Sequence, residues 1–241
     1  MISDIHGNLP ALEAVLERVE DCDEIWCLGD MVGYGPWPND CAGLVEARCS
    51  VVLAGNHDLA AVGRVPVEAF SSDAGRAIAW TREALTDPTE AYLSDLEPSL
   101  VGPFIALFHA SPIDPVWQYV LDPGIAKAAL DACDRELILV GHTHSALAAR
   151  LADGVLTGGP ARGGLEISLR QGVRALLNPG SVGQPRDGDA RAAWLELEID
   201  DAGRAVAASF HRVAYDIERA QQRVYESGLP ERLAFRLAFG M

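Results

Sequence analysis

Residues 25–58 read IWCLGDMVGYGPWPNDCAGLVEARCSVVLAGNHD, and this stretch decides the fold. Ile25 to Leu28 is a short apolar run of strand type, closed by Gly29-Asp30. A breaker-rich loop follows, Gly33-Tyr34-Gly35-Pro36-Trp37-Pro38, and then a helical stretch near Asp40 to Arg48. Val51 to Ala54 is a second strand, closed by Gly55-Asn56. Strand, helix and strand in that order predict a largely parallel layer covered by helices. In such sheets ligands gather beyond the carboxyl ends of the strands. Asp30, Asn56, His57 and Asp58 all fall there.

The same arrangement recurs on either side. Met1-Ile2-Ser3 makes a very short first strand leading to Asp4-Ile5-His6. Asn8 then caps a helix with Pro10 in its first turn and Leu12, Val15, Leu16 and Val19 at helical spacing. Phe104 to Phe108 is a strand delivering His109. Gly124 to Cys133 is a helix, and Leu137 to Val140 a strand delivering Gly141-His142-Thr143-His144. Residues 59–103 interrupt the alternation, and helices near Asp73 to Leu85 and Glu90 to Leu96 make them a small helical insert beside the site. Further on, Val155 to Thr157, Leu165 to Leu169, Val173 to Leu177, Ala192 to Ile199 and Ala205 to Val213 read as strands. The last two form a hairpin about Asp200 to Gly203. The tail from Asp216 to Phe239 reads as helix, broken near Gly228-Leu229-Pro230. No composition break marks a linker, so residues 1–241 are expected to form a single α/β domain.

Apolar residues make up 49% of the 241 positions, enough to bury a sizeable core. No run approaches the roughly 18 apolar residues of a membrane span, and no secretory leader is visible. The five cysteines, Cys22, Cys27, Cys41, Cys49 and Cys133, show no CxxC spacing and read as reduced thiols. These features predict a cytoplasmic chain with no membrane partner. The net charge of −16 argues against a long nucleic acid, which needs clustered cations. It also opposes a phosphate ligand, unless divalent cations reverse the sign within one acidic pocket.

Five of the six histidines supply the ligands for that reversal. They stand at 6, 57, 109, 142 and 144, each beside a Gly, Asp or Asn or just after a strand. Imidazole suits borderline transition ions. Asp4 and His6 are two apart, so an extended strand end would point both to one side; His142 and His144 repeat the spacing. Asp30 can bridge two ions with its two oxygens, and Asn56 offers a neutral oxygen ligand. His57 can face the substrate as a proton donor. Each motif alone has an ordinary reading as a turn, cap or satisfied histidine; their joint placement at strand ends does not. His211 lies in an alternating strand and has no role here.

The series Asp4-Ile5-His6-Gly7-Asn8, Gly29-Asp30, Gly55-Asn56-His57-Asp58, His109 and Gly141-His142-Thr143-His144 resembles the calcineurin-like metallophosphoesterases. The segment Asn178 to Asp189 resembles their bacterial and archaeal phosphodiesterase branch. The resemblance implies a four-layer α/β/β/α sandwich with a dinuclear site for divalent Mn, Fe, Zn, Co or Ni. By matching motif, Asp4, His6, Asp30 and His144 would hold one ion, and Asp30, Asn56, His109 and His142 the other. Asp30 would bridge them together with a water or hydroxide that attacks a small phosphoester. His57 would be the acid or a phosphoryl contact, with Asn56 beside it. Arg186 is a further candidate for the substrate, and Tyr34, Trp37 and Trp117 for a planar group on it.

Two departures stand out. Phosphoprotein phosphatases of this superfamily carry an Asp and an Arg after the Gly-Asp motif, where this chain has Gly33 and Tyr34. That argues against a phosphoprotein substrate and leaves the partner of His57 open. Family members also carry a longer first strand, so a frayed N-terminus is expected to weaken the ligands at 4 and 6. The activity implied is that of a phosphodiesterase. The alternatives are a dinucleoside tetraphosphate hydrolase, a phosphomonoesterase, or a scaffold that binds metal without catalysis.

Overall fold

The computed structural model describes residues 1–241. In chain order the elements are α1 (Leu9–Arg18), β1 (Trp26–Cys27), α2 (Pro38–Arg48), β2 (Val51–Val52), α3 (Asn56–Ala61), α4 (Ser72–Ala84), α5 (Asp87–Ser94), β3 (Ser99–Val101), β4 (Ile105–Phe108), α6 (Pro123–Ala132) and β5 (Leu137–Leu139). There follow β6 (Leu147–Ala152), β7 (Val155–Pro160), β8 (Glu166–Ser168), β9 (Arg174–Asn178), β10 (Ala192–Ile199), β11 (Ala205–Val213), α7 (Ile217–Glu226) and α8 (Glu231–Leu237).

The strands form two facing layers. One is six-stranded in the order β3-β4-β5-β9-β6-β7. The other joins β1 and β2 to the set β10-β11-β8 through the first residues of the chain. Ile2 bridges Cys27 in parallel. On its other side, the amide of Leu195 donates to the Met1 carbonyl and that of Val182 to the Ser3 carbonyl. The Met1 ammonium donates to the Leu195 carbonyl at 2.9 Å. The expected fraying of the N-terminus is therefore corrected: the first three residues are a central link of the layer.

Period-2 alternation assigns side chains to layers. Leu137 and Leu139 face the space between the sheets, with Leu107, Leu177, Leu195 and Phe210. Ile138, Leu176 and Phe108 face outward onto α6 residues Ala126, Ala129 and Leu130. Ile2 and Cys27 face the opposite exterior, against Leu12, Val15 and Leu16 of α1 and Val45 of α2. Helix, sheet, sheet and helix are thus stacked in four layers, as the sequence predicts.

The parallel character is partial. β4, β5 and β9 run parallel, while β3 and the pair β6 and β7 are antiparallel to their neighbours. A hairpin needs only a short turn, so edges can be completed without a crossover helix. The insert is helical in α4 and α5, and its end also supplies the edge strand β3, which the sequence reading left out. No helix is long and apolar enough to cross a membrane.

Candidate metal centre

The polar residues singled out at strand ends meet at one edge of the sandwich. Asp30 follows β1, Asn56 follows β2, His109 follows β4, and His142 and His144 follow β5. The backbone there is unusual. Asp4, His6, Asp30, Tyr34, His142 and His144 all adopt positive φ, from 51° to 63°. Such backbone costs on the order of 1–3 kcal/mol at a residue with a Cβ and clusters at functional sites. The expectation of an extended Asp4-x-His6 is corrected accordingly. Left-handed backbone at both the Asp and the His aims the two side chains inward, and His142 and His144 repeat the device.

Ligand-type atoms of Asp4, His6, Asp30 and His144 lie within 4.8 Å of one another, as do those of Asp30, His109 and His142. Asp30 belongs to both groups. Its Oδ2 is 3.5 Å from His6 Nε2 and 3.5 Å from His109 Nε2. Asn56 Oδ1 lies 3.1 Å from His109 Nε2. Asp30 Oδ1 instead accepts from the His57 amide at 2.8 Å. Oδ2 thus stands between the two groups, while Oδ1 is already engaged by an amide. All seven side chains are buried.

The cage consists of acceptors. Nδ1 of His6, His109 and His144 each faces a backbone carbonyl, of Val32, Leu28 and Gln184 respectively. A carbonyl only accepts, so each Nδ1 holds the proton and each Nε2 presents a lone pair. Yet His6 Nε2 and His144 Nε2 stand 3.0 Å apart. His109 Nε2 faces the Asn56 oxygen in the same way, and Asp30 Oδ2 is buried with no donor. Lone pairs crowded together without donors repel, and divalent cations relieve the repulsion. The residues thus fit a pair of metal ions. Burial pushes Asp4 up to about 7, and burial with the Asp58 charge raises Asp30. Burial also lowers His6, His142 and His144 well below the ordinary imidazole value.

Asp58 is a residue whose role sequence reasoning missed. It points away from the cage and accepts from the amides of Asp30 at 2.7 Å, Gly55 at 2.9 Å and Val32 at 3.0 Å. It thereby ties the Asp30 loop to the start of α3. Its place in the first turn after Gly55 was the available signal. The segment 178–186 ties the remaining loops together. Asn178 Nδ2 donates to the Gly141 carbonyl at 2.7 Å, Ser181 Oγ to the Asp4 carbonyl at 2.7 Å, and the Arg186 amide to the His144 carbonyl at 3.0 Å.

His57 stands beside the cage without a carboxylate partner. Its Nδ1 is buried and unbonded, and a Cβ placed on Gly33 would come within 2.4 Å of it. Rings hold it instead: Tyr34 at 4.4 Å, His6 at 4.7 Å and Phe70 at 5.0 Å between centroids. Burial, and then the Arg186 charge, hold its pKa well below the ordinary imidazole value. Phe70 meets Trp117 at 5.1 Å, and Tyr119 stacks on His142 at 4.0 Å. Neither Phe70 nor Tyr119 carries a motif that would have marked it. Trp37 packs against the outer core with α1 and α2. His211 bonds Glu196 and stacks on Trp194, remote from the centre.

The calcineurin-like phosphoesterase superfamily domain matches residues 1–201. An uncharacterised protein of Methanocaldococcus jannaschii is 34% identical over 247 residues, covering 100% of this chain and 97% of its own. The crystal structure of a metallophosphoesterase from Sphaerobacter thermophilus superposes with a TM-score of 0.85 at 38% identity, covering 100% of this chain and 98% of that one. A symmetrical bis(5'-nucleosyl)-tetraphosphatase of Erwinia tasmaniensis is 36% identical over 64 residues, 24% of this chain and 23% of that one. The fold, the convergent cage and these likenesses agree: the chain belongs to the calcineurin-like phosphoesterase superfamily.

Proposed function

We propose that the protein hydrolyses a small phosphodiester with two divalent transition-metal ions. Asp4, His6, Asp30 and His144 would hold one ion, and Asp30, Asn56, His109 and His142 the other. One observation carries the reading: a buried cage made of acceptors, with the unbonded Oδ2 of Asp30 equidistant from a histidine of each group. Two bound cations supply Lewis-acid polarisation, acidify water near neutral pH and neutralise charge at a phosphoryl group. The chain's own residues do the rest. The carbonyls on Nδ1 fix each imidazole's tautomer and aim. Asp58 holds the Asp30 loop in place. His57, neutral and clamped by rings, presents an N–H as a hydrogen-bond donor to a phosphoryl oxygen. Arg186 contacts the substrate from the side of Tyr34. The aromatic surround narrows the mouth and argues for a small substrate over a folded phosphoprotein.

The test separates binding from chemistry. His57→Ala is expected to retain both ions by elemental analysis while turnover of bis(p-nitrophenyl) phosphate falls about 100-fold or more. Asp30→Asn is expected to lose metal and activity together. Release of metal by His57→Ala would overturn the assignment. A panel of diesters, monoesters and dinucleoside polyphosphates tests the reaction class. No hydrolysis of any of them by Mn-, Zn-, Fe-, Co- or Ni-loaded protein would favour a scaffold.

A further inference from the structure

Each of the seven cage residues, and His57 beside them, is at most 4% exposed. A phosphoester attacked at the cage must touch these groups, so part of their cover has to move aside first. Two segments meet next to His57. Residues 62–71 run from α3 to α4 and carry Phe70, and residues 109–122 run from β4 to α6 and carry Trp117. The Phe70 ring stands edge-on to both His57, at 5.0 Å and 73°, and Trp117, at 5.1 Å and 64°. Phe70 therefore bridges the helical insert to the opposite side of the mouth.

The two segments are anchored very unequally. Asp114 Oδ1 accepts from the amides of Val116 and Trp117, each at 3.0 Å, and Ser111 Oγ from those of Ile113 and Asp114, each at 3.1 Å. The Ala110 amide donates to the Pro115 carbonyl at 3.0 Å, and Nε2 of the cage residue His142 donates to the Trp117 carbonyl at 3.3 Å. The Trp117 side of the mouth is thus fixed, and fixed to the cage itself. The Phe70 side is not. No residue from 65 to 70 is buried. The backbone bonds of that stretch run from the Ala69 amide to the Pro66 carbonyl and from the Phe70 amide to the Val67 carbonyl, closing one 3-10 turn and reaching nothing outside it. Gly63, where the segment leaves α3, has a φ of +77° and open space where a Cβ would stand. At the other end Ser71 makes no side-chain bond to the first turn of α4. Val67 rests against Gly75 of α4, and the ring contacts of Phe70 tie the turn to the mouth.

We propose that residues 62–71 form a lid, hinged at Gly63 and latched by Phe70, that swings off Trp117 to admit the substrate and closes again on His57 once the phosphoryl group is seated. Local opening draws on exposed, weakly anchored backbone, and a few loop residues absorb the change of φ and ψ. A latch of two edge-on ring contacts is weak enough to open and directional enough to close in one place. His57 has no carboxylate to orient it, so Phe70 is a positioning residue for it, and closing the lid completes the set of rings that aim the imidazole. The inference rests on the phosphoester reading, because it requires a substrate to enter the cage.

Amide hydrogen exchange on the zinc-loaded protein, read by mass spectrometry, tests the lid directly. Residues 62–71 are expected to exchange about tenfold or more faster than residues 110–118, relative to their intrinsic rates, and inorganic phosphate should slow the first segment and leave the second unchanged. Phe70→Ala removes the latch, so zinc loss to excess EDTA should quicken about tenfold, the order expected for losing aromatic contacts, and Phe70→Tyr should restore the slow rate. Leu100→Ala, on the edge strand β3, should leave the rate unaltered. Trp117→Ala removes the same contact from the fixed side if Phe70→Ala does not fold. Equal exchange in the two segments would overturn the proposal, and so would zinc loss that is indifferent to either ring. A chain that takes up no zinc would overturn the phosphoester reading and the lid with it. A loaded chain whose two segments exchange alike would lose the lid alone.

Discussion

Asp58 explains how a metal-type cage can be assembled from separate loops. Its carboxylate accepts three buried amides, including that of Asp30, and none of its partners is a cation. Asp58→Ala strands all three amide donors at once. Each stranded buried amide costs roughly 1–3 kcal/mol, so the variant is expected to lose about 3 kcal/mol or more in denaturant melts. The Asp30 loop loosens with it, so metal content by elemental analysis should fall although no ligand has been altered. Unchanged metal content would show that Asp30 is held by something else. Gly33 marks the other decisive residue. A Cβ there would come within 2.4 Å of His57 Nδ1, and His57 is held instead by tilted and edge-to-face rings.

At the scale of elements, β5 carries both the core and the chemistry. Leu139 is fully buried between the two sheets, and the strand then turns into Gly141-His142. Leu139→Ala is expected to cost about 2–5 kcal/mol in chemical denaturation, by lost transfer energy and the cavity left behind. Leu100, on the edge strand β3, is 50% exposed. Its replacement by Ala should stay within about 0.5 kcal/mol. Comparable losses at the two positions would contradict the assignment of the inter-sheet core. The short strands β1 and β2 matter in the same way. Two residues each suffice because Ile2, β10 and the inter-sheet leucines hold them from the sides.

Over the whole molecule, binding of cations is linked to protons. A buried acid whose pKa is raised keeps its proton until the pH passes that value, and a cation must displace it. With Asp4 pushed up to about 7 and Asp30 raised as well, binding is weakened at lower pH and strengthens as the pH rises. Manganese affinity is therefore expected to rise between about pH 5 and pH 8, by roughly tenfold per unit for each proton displaced below its pKa. Calorimetry in buffers of different ionisation enthalpy should detect protons released near pH 6. A pH-independent affinity with no proton release would exclude Asp4 as a ligand. The acidity of the chain as a whole would not oppose a phosphate ligand once cations were held in the cage, because the sign of the field is set locally.

Much of this was legible in the order of residues. Apolar runs closed by Gly-Asp, Gly-Asn and Gly-His located the strand ends, and period-2 alternation assigned β10 and β11 to their residue. The candidate ligands were readable because metal chemistry demands particular side chains at positions the backbone pattern already marks. In the sequence, Asp187 and Asp189 stand next to Arg186 as ready ion-pair partners. Only the folded chain, by giving those carboxylates to Arg212 and Arg191, left it free. The left-handed backbone at Asp4 and His6, the position of Asp30 Oδ2 between the two groups and the arrival of Phe70 beside His57 were likewise decided by tertiary structure. Local sequence determines which groups can accept, donate or bury. Which of them meet depends on loops far apart in the chain, whose approach is set by packing between layers.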